Sequence, residues 1–254
     1  MSISYALSDT AVMTGRVLKQ VLRSLDTIIT VLLMPVAMLL AMNYVLGGAM
    51  DLGGMGTADY MLPGVLIICV LSGVAYTAYR LYVDVQKGIF ERFHSMPIAK
   101  SSILGGHVLT SILTNAVSIV ATTAVGLLVG FRPQAGVGGW LLAALLILLF
   151  IAAMTWISVF FGLITKSVET VSVFSYLLMG LTFTSSAFAP VESMPAALAA
   201  FARYQPMTPI ADSLRLLLLG EPAGTSLSIA LAWCIAITAT FWLLSITAYG
   251  KRQR

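Results

Sequence analysis

The stretch Gly139–Ile164 reads GWLLAALLILLFIAAMTWISVFFGLI. It holds no Asp, Glu, Lys or Arg, and at about 1.5 Å per helical residue it exceeds the ~30 Å hydrocarbon thickness of a bilayer. Five more runs are equally free of charge and within the ~17–25 residues of a transmembrane helix: Thr27–Leu46, Tyr60–Ala78, Val108–Val129, Val171–Phe188 and Ser226–Ala248. Six uncharged runs predict an all-α integral membrane protein with six transmembrane helices. The composition agrees, because the chain of 254 residues is 59% hydrophobic and only 9% charged, too little polar surface for a soluble domain. Residues 1–254 therefore read as a single membrane domain, and the long first run fits a retained helix rather than a cleaved signal.

The net charge of +4 does not point to nucleic acid, because the charge is segregated. If the runs alternate, Arg16, Lys19, Arg23, Arg80, Lys87, Arg92, Lys100, Lys166, Lys251, Arg252 and Arg254 share one side, and Arg132, Arg203 and Arg215 the other. This asymmetry predicts both termini in the cytoplasm and basic residues beside lipid headgroups. Ion-coupled pumps hold ionisable groups inside the bilayer. Their absence from the runs means that any uphill transport draws its energy from elsewhere.

Between the runs, three segments carry pattern. Residues 1–26 include Asp9–Arg23, where Arg16, Lys19 and Arg23 share a helical face opposite an apolar one. That fits a helix lying in the interface, or a basic flank that sets topology. Residues 80–100 repeat Leu81, Val85, Ile89 and Phe93 every four positions, with Asp84, Lys87, Glu91 and His94 opposite, and Pro97 ends the pattern. This is an amphipathic helix, either lying on the membrane or docking a cytoplasmic partner. Residues 189–225 are broken by Pro190, Pro195, Pro206 and Pro209, and Met194–Arg203 and Ile210–Leu219 read as short apolar helices dipping into the outer leaflet.

Other signals are local. The fifth run is rich in hydroxyls (Ser172, Ser175, Tyr176, Thr182, Thr184, Ser185, Ser186), which either bond back to the helix backbone or line a polar path. Gly126 and Gly130 form a GxxxG, a pattern that lets helices approach closely. Cys69 and Cys234 lie in apolar runs and read as buried apolar residues, without metal spacing. His107 reads as an interfacial group at the start of the third span. No phosphate-binding loop or hydrolase motif occurs, and carboxylates confined to loops and helix ends make a paired acid–base site hard to assemble. The chain alone is not expected to be an enzyme.

Three segments in order then resemble the permease subunit of ABC-2 type exporters, in particular the daunorubicin/doxorubicin-resistance branch. They are Gly88-Ile-Phe-Glu-Arg-Phe-His-Ser-Met-Pro-Ile98 followed by Ile103-Leu-Gly105, then Phe188-Ala-Pro-Val-Glu-Ser-Met-Pro195, then Gln205-Pro-Met-Thr-Pro-Ile-Ala-Asp-Ser-Leu-Arg215 through Leu219-Gly220. Ser185-Ser186 stands where many members carry Gly, and Gln205 where Asn is common.

The resemblance implies a half-unit that pairs with a second permease, identical or related, and with two copies of a cytoplasmic ABC ATPase. ATP and Mg would bind that partner, and this chain would hold no cofactor and no metal. Residues 1–26 would be a connecting helix. The 80–100 segment would hold a coupling helix, with Lys87, Glu91, Arg92, His94 and Met96 at the ATPase contact. Residues 189–225 would form re-entrant extracellular helices, a cap that includes Pro190, Pro195, Pro206 and Arg215. The translocation path would include Asn43, Tyr44, Ser72, Tyr76, Ser175, Tyr176 and Thr182, with Tyr79 nearby. Its hydroxyls and aromatics suit hydrophobic or amphiphilic drugs leaving through a bacterial cytoplasmic membrane. The alternatives are export of polysaccharide, lipid or a cofactor by the same fold and, from another class, a membrane enzyme or passive channel.

Overall fold

Apolar runs in lipid can satisfy their backbone polar groups only within helices or a closed barrel, and the described residues contain helices and no strand. The computed structural model describes residues 3–47, 55–94 and 100–252. In order these form α1 (Ile3–Leu22), α2 (Leu25–Ile28), a π-helical turn (Ile29–Leu33), α3 (Met34–Ala41), a second π turn (Met42–Leu46), α4 (Thr57–Gln86) and α5 (Ile89–His94). Then come α6 (Lys100–Val129), α7 (Val137–Ile164), α8 (Val168–Phe183), a short 3-10 turn (Val191–Ser193), α9 (Ala196–Tyr204), α10 (Met207–Leu218) and α11 (Gly224–Arg252).

Among the described residues, five helical stretches are long and apolar enough to cross a membrane: Leu25–Val45, Thr57–Gln86, Ser102–Val129, Val137–Ile164 and Gly224–Gly250. The fifth predicted run behaves differently. Its helix, α8, has 16 residues, which at about 1.5 Å each falls short of the ~30 Å hydrocarbon core. The hydroxyls at its end explain the stop. Thr184 Oγ1 donates to Gly180 O at 3.0 Å, Ser185 Oγ donates to Thr182 O at 2.6 Å, and Ser185 Oγ accepts from the Ala187 N–H at 3.1 Å. These bonds add to the backbone ones from Thr184 N–H to Gly180 O and from Ser185 N–H to Thr182 O, and the chain turns before Phe188.

α4 is the central helix, packed by α3, α6, α7, α8 and α10. It is buried on nearly all sides, which is why its sequence is apolar without a helical stripe. The main core joins Leu62, Leu66 and Val70 of α4 to Leu146, Phe150 and Met154 of α7, Phe174 of α8 and Leu214 of α10. α11 packs on α7 and α10, and α1 runs along α6. Hydroxyls cross between helices: Ser158 Oγ donates to Val74 O at 2.7 Å, and Ser111 Oγ lies 2.9 Å from Thr155 Oγ1. Close backbone approach comes at Gly106, where a Cβ would stand 2.7 Å from Met13 Cβ of α1. The GxxxG expectation fails at its second glycine. Gly126 meets Leu62, but Gly130 follows the end of α6 at φ +121°, where an added Cβ would meet no neighbouring helix.

Prolines are accommodated by borrowed partners. Pro35 has no N–H, and its ring displaces the carbonyl four residues earlier. That carbonyl, Val31 O, accepts the hydroxyl of Ser118 on α6. The preceding turn widens to π geometry, with the Met34 N–H bonded to Ile29 O.

The segment after α8 folds over one end of the bundle. Its breaks follow the prolines: Pro190 precedes the Val191–Ser193 turn, Pro195 caps α9 and Pro206 caps α10. The predicted helices therefore exist, shifted to Ala196–Tyr204 and Met207–Leu218. Arg215 pins this segment to α4. It is 8% exposed, its guanidinium lies 4.0 Å from the Tyr60 ring centre, and it donates to Ser186 O and Asp212 Oδ1 at 2.8 Å each. Nε and Nη2 also reach Tyr60 O at 3.4 Å, in the turn before Pro63. Truncation in Arg215→Leu should destabilise the protein by roughly 3 kcal/mol, because it leaves buried acceptors unpaired. Arg215→Lys should recover only part of this, because a point charge cannot fork to three acceptors. Thermal unfolding in detergent would measure both.

Candidate functional site

A groove of about 280 Å³ opens between the first span and α8, with α4 as its floor. Ser72, Tyr76 and Tyr79 of α4 line it, as do Ser172, Ser175 and Tyr176 of α8 and Thr30 of the first span. Spacing explains the cluster. Ser72, Tyr76 and Tyr79 recur at four and three on one face of α4, and Ser172, Ser175 and Tyr176 do so on α8. The structure thus brings four predicted path residues together: Ser72, Tyr76, Ser175 and Tyr176. It leaves out the other three. Asn43 and Tyr44 belong to the second π turn and do not line the groove, and Tyr44 is 71% exposed. Thr182 is fully buried, with its hydroxyl donated to Leu178 O at 3.1 Å.

The groove's serines also bond to their own helix. Ser172 Oγ donates to Val168 O and Ser175 Oγ to Val171 O. Their protons are used, so toward a ligand they can act only as acceptors. Tyr176 is 72% exposed. Tyr76 packs edge-on to Tyr79 and lies under the Arg80 guanidinium at 5.0 Å. The walls are otherwise apolar, including Ile68, Leu71, Val171 and Met179, so the surface suits a ligand that is mostly apolar and donates a few hydrogen bonds.

At the bundle end away from Arg215, the predicted amphipathic helix over 80–97 is not continuous. α4 runs to Gln86, Gly88 turns the chain at φ +65°, and α5 begins at Ile89. A residue with a Cβ is strained at such an angle. The break separates two groups that the sequence pattern joined. Lys87, Glu91 and Arg92 are exposed around the turn. His94 ends α5, and Met96 lies outside the described residues. The apolar face of α5 is anchored: Phe90 is buried beside Tyr249 of α11, ring centres 6.0 Å apart, and beside Leu81, Ile103 and Leu163. α1, α5 and the end of α11 therefore occupy the same end of the bundle.

Asp84 corrects the sequence reading most. It was expected on the outward polar face with Lys87 and Glu91, yet it is 4% exposed. Arg16 of α1 grips its two carboxylate oxygens at 3.0 and 3.2 Å, and His107 Nε2 of α6 stands 3.3 Å away. His107 is 2% exposed, inside the bundle rather than at its interface. The Arg16 guanidinium also lies 5.2 Å from the Phe93 ring centre of α5. One buried carboxylate thus ties α1, α4 and α6, and its arginine reaches α5. Arg80 adds a second tie, donating to Thr27 Oγ1 at 2.7 Å. The acid–imidazole pair that sequence reasoning found hard to assemble does exist. The space beside it is about 10 Å³, however, room for at most one water and no substrate. The pair is a joint. Asp84 sits between Val83 and Val85, four residues after Arg80, but no spacing in the sequence links it to Arg16 or His107.

No group of three His, Cys, Asp or Glu side chains is placed to hold a metal among the described residues.

The sequence profile of the ABC-2 type transporter family matches residues 8–219. The chain is 30% identical over 227 residues to the daunorubicin resistance ABC transporter permease protein DrrB1 of Streptomyces coeruleorubidus, covering 89% of this chain and 80% of that protein. It is 24% identical over 239 residues to the probable doxorubicin resistance ABC transporter permease protein DrrC of Mycobacterium tuberculosis, covering 91% and 84%. The profile spans the Arg16–Asp84–His107 joint, the groove and the Arg215 lock together, and the chain belongs to the ABC-2 type transporter family as a multi-pass membrane permease.

Proposed function

We propose that this chain is the membrane half of an ATP-driven exporter of hydrophobic or amphiphilic compounds, drugs and antibiotics among them. The groove carries the reading: its apolar walls hold separated hydroxyls and three tyrosines, Tyr76, Tyr79 and Tyr176. The names of the two relatives support the cargo class. The motor is a cytoplasmic ABC ATPase, present in two copies, which binds ATP and Mg. A second permease, identical or related, completes the path by facing the exposed groove.

The α5 end is the cytoplasmic end, as the charge asymmetry favours. The ATPase presses on Lys87, Glu91, Arg92, His94 and Met96. The anchored face of α5 passes that motion to α4 and α11, and Arg16 passes it to α1. Alternation between inward- and outward-open arrangements follows from such rigid-body shifts. The segment over 189–225 caps the outer end, with Pro190, Pro195 and Pro206 fixing its breaks and Arg215 holding it to α4.

The protein purified from its native membrane should retain an ATPase with a phosphate-binding loop. Reconstituted with that subunit, it should export daunorubicin only when ATP is supplied. Transport driven by an ion gradient alone would refute the reading. Glu91→Ala with Arg92→Ala should leave ATP hydrolysis running and membrane insertion intact while efflux falls; unchanged efflux would remove the coupling role from α5. Tyr176→Ala should lower daunorubicin efflux by about tenfold, a loss of roughly 1.4 kcal/mol of interaction, without affecting thermal stability. Arg16→Gln and Asp84→Asn should each reduce efflux per ATP hydrolysed, and the double substitution should be no worse than the poorer single one. Additive losses would mean that the two residues act separately.

A further inference from the structure

We propose that the crevice between α6 and α7 holds one acyl chain of an anionic phospholipid, whose phosphate is bound by Arg132 at the crevice mouth. This inference is independent of the transported cargo and stands even if the transport reading fails. The crevice is about 470 Å³, larger than the polar groove, and lies on a different part of the bundle. Alanines on both walls, Ala116 and Ala124 of α6 and Ala143 and Ala144 of α7, leave side-chain space between two helices that touch elsewhere through Ser111 and Thr155. The opening reaches down to Leu66 of the central helix. Among the lining residues Thr123 brings the one hydroxyl.

Length decides the occupant. The lining runs from Ala116 to Leu127 on α6 and from Trp140 to Ile151 on α7. Each stretch rises by roughly 17 Å, close to half of the ~30 Å hydrocarbon core. The crevice therefore matches the acyl layer of one leaflet. A helix of a second copy, ~10 Å across and running the full depth, would not match it.

Both polar features stand at one mouth. Trp140, 37% exposed, lines that end, where indoles settle at the headgroup level. Arg132 is exposed just beyond the end of α6. Its Nη1 donates to the carbonyls of Leu127, a lining residue, at 2.9 Å and of Phe131 at 3.2 Å. The nearby carboxylate of Asp59 accepts the backbone N–H of Arg132 at 2.8 Å, and no ion pair joins it to the guanidinium among the described residues. A guanidinium held at the lip of an apolar slot is complementary to a phospholipid: phosphate on the arginine, chain in the slot.

The test uses the full-length protein in phosphatidylcholine vesicles that contain a minor share of phosphatidylglycerol with a diazirine on its acyl chain. After illumination, labelled peptides should map to residues 116–127 and 140–151. Arg132→Gln should reduce that labelling by about tenfold, the loss of one charge-assisted contact, while Arg132→Lys retains most of it. Ala144→Phe, at an exposed lining position, should fill the slot and abolish labelling with no change in thermal stability. Equal labelling by a phosphatidylcholine diazirine probe, or labelling indifferent to Arg132→Gln, would overturn the proposal. So would an interchain disulfide formed by Ala124→Cys, because it would seat a second copy in the crevice.

Discussion

A backbone carbonyl that loses its helical partner inside lipid has no water to turn to, and the bundle is organised around meeting that constraint. Pro35 frees Val31 O, and Ser118 of the neighbouring helix supplies the missing proton. Thr184 and Ser185 bond back to carbonyls at the end of α8, and Arg215 closes over the carbonyls of Ser186 and Tyr60. The Ser118 and Arg215 bonds join elements distant in sequence. Local breaks in the ladder thus become tertiary ties, and those ties fix which helices are neighbours.

The two ends of α4 carry the strongest of these ties, with different chemistry. At one end an arginine serves carbonyls and a partly exposed carboxylate, an arrangement that holds a folded-over segment in place. At the other a buried carboxylate is shared between an arginine of α1 and a histidine of α6. The second tie crosses three helices and reaches a fourth through Phe93. In the proposed cycle a push on α5 would move these helices together, because Asp84 cannot lose its partners at low cost in an apolar setting.

The groove and the lipid crevice show how one helical vocabulary makes two kinds of surface. Tyrosines and serines at spacings of three and four give a face with dispersed acceptors. Alanines at similar spacings give a smooth slot. Both open sideways from the bundle, as expected where ligand and solvent are largely hydrocarbon.

Much was legible in the chain itself. The uncharged runs dictated helices in a membrane, because length and hydropathy are additive along the sequence. Prolines marked the breaks after α8 to within a few residues, and helical spacing grouped Ser72 with Tyr76 and Ser175 with Tyr176. Three things were not legible. The shortened α8 depended on hydroxyls capturing local carbonyls, a competition whose outcome periodicity does not report. The inward turn of Asp84 depended on Arg16 and His107 arriving from helices far away in the chain, and the break at Gly88 on a positive φ that helical spacing does not report. The placement of Tyr44 and Thr182 off the groove depended on which face each helix turned toward α4. Sequence determines what each segment must bury. Only the packed bundle decides what each buried polar group meets, because that choice belongs to partners that no local pattern encodes.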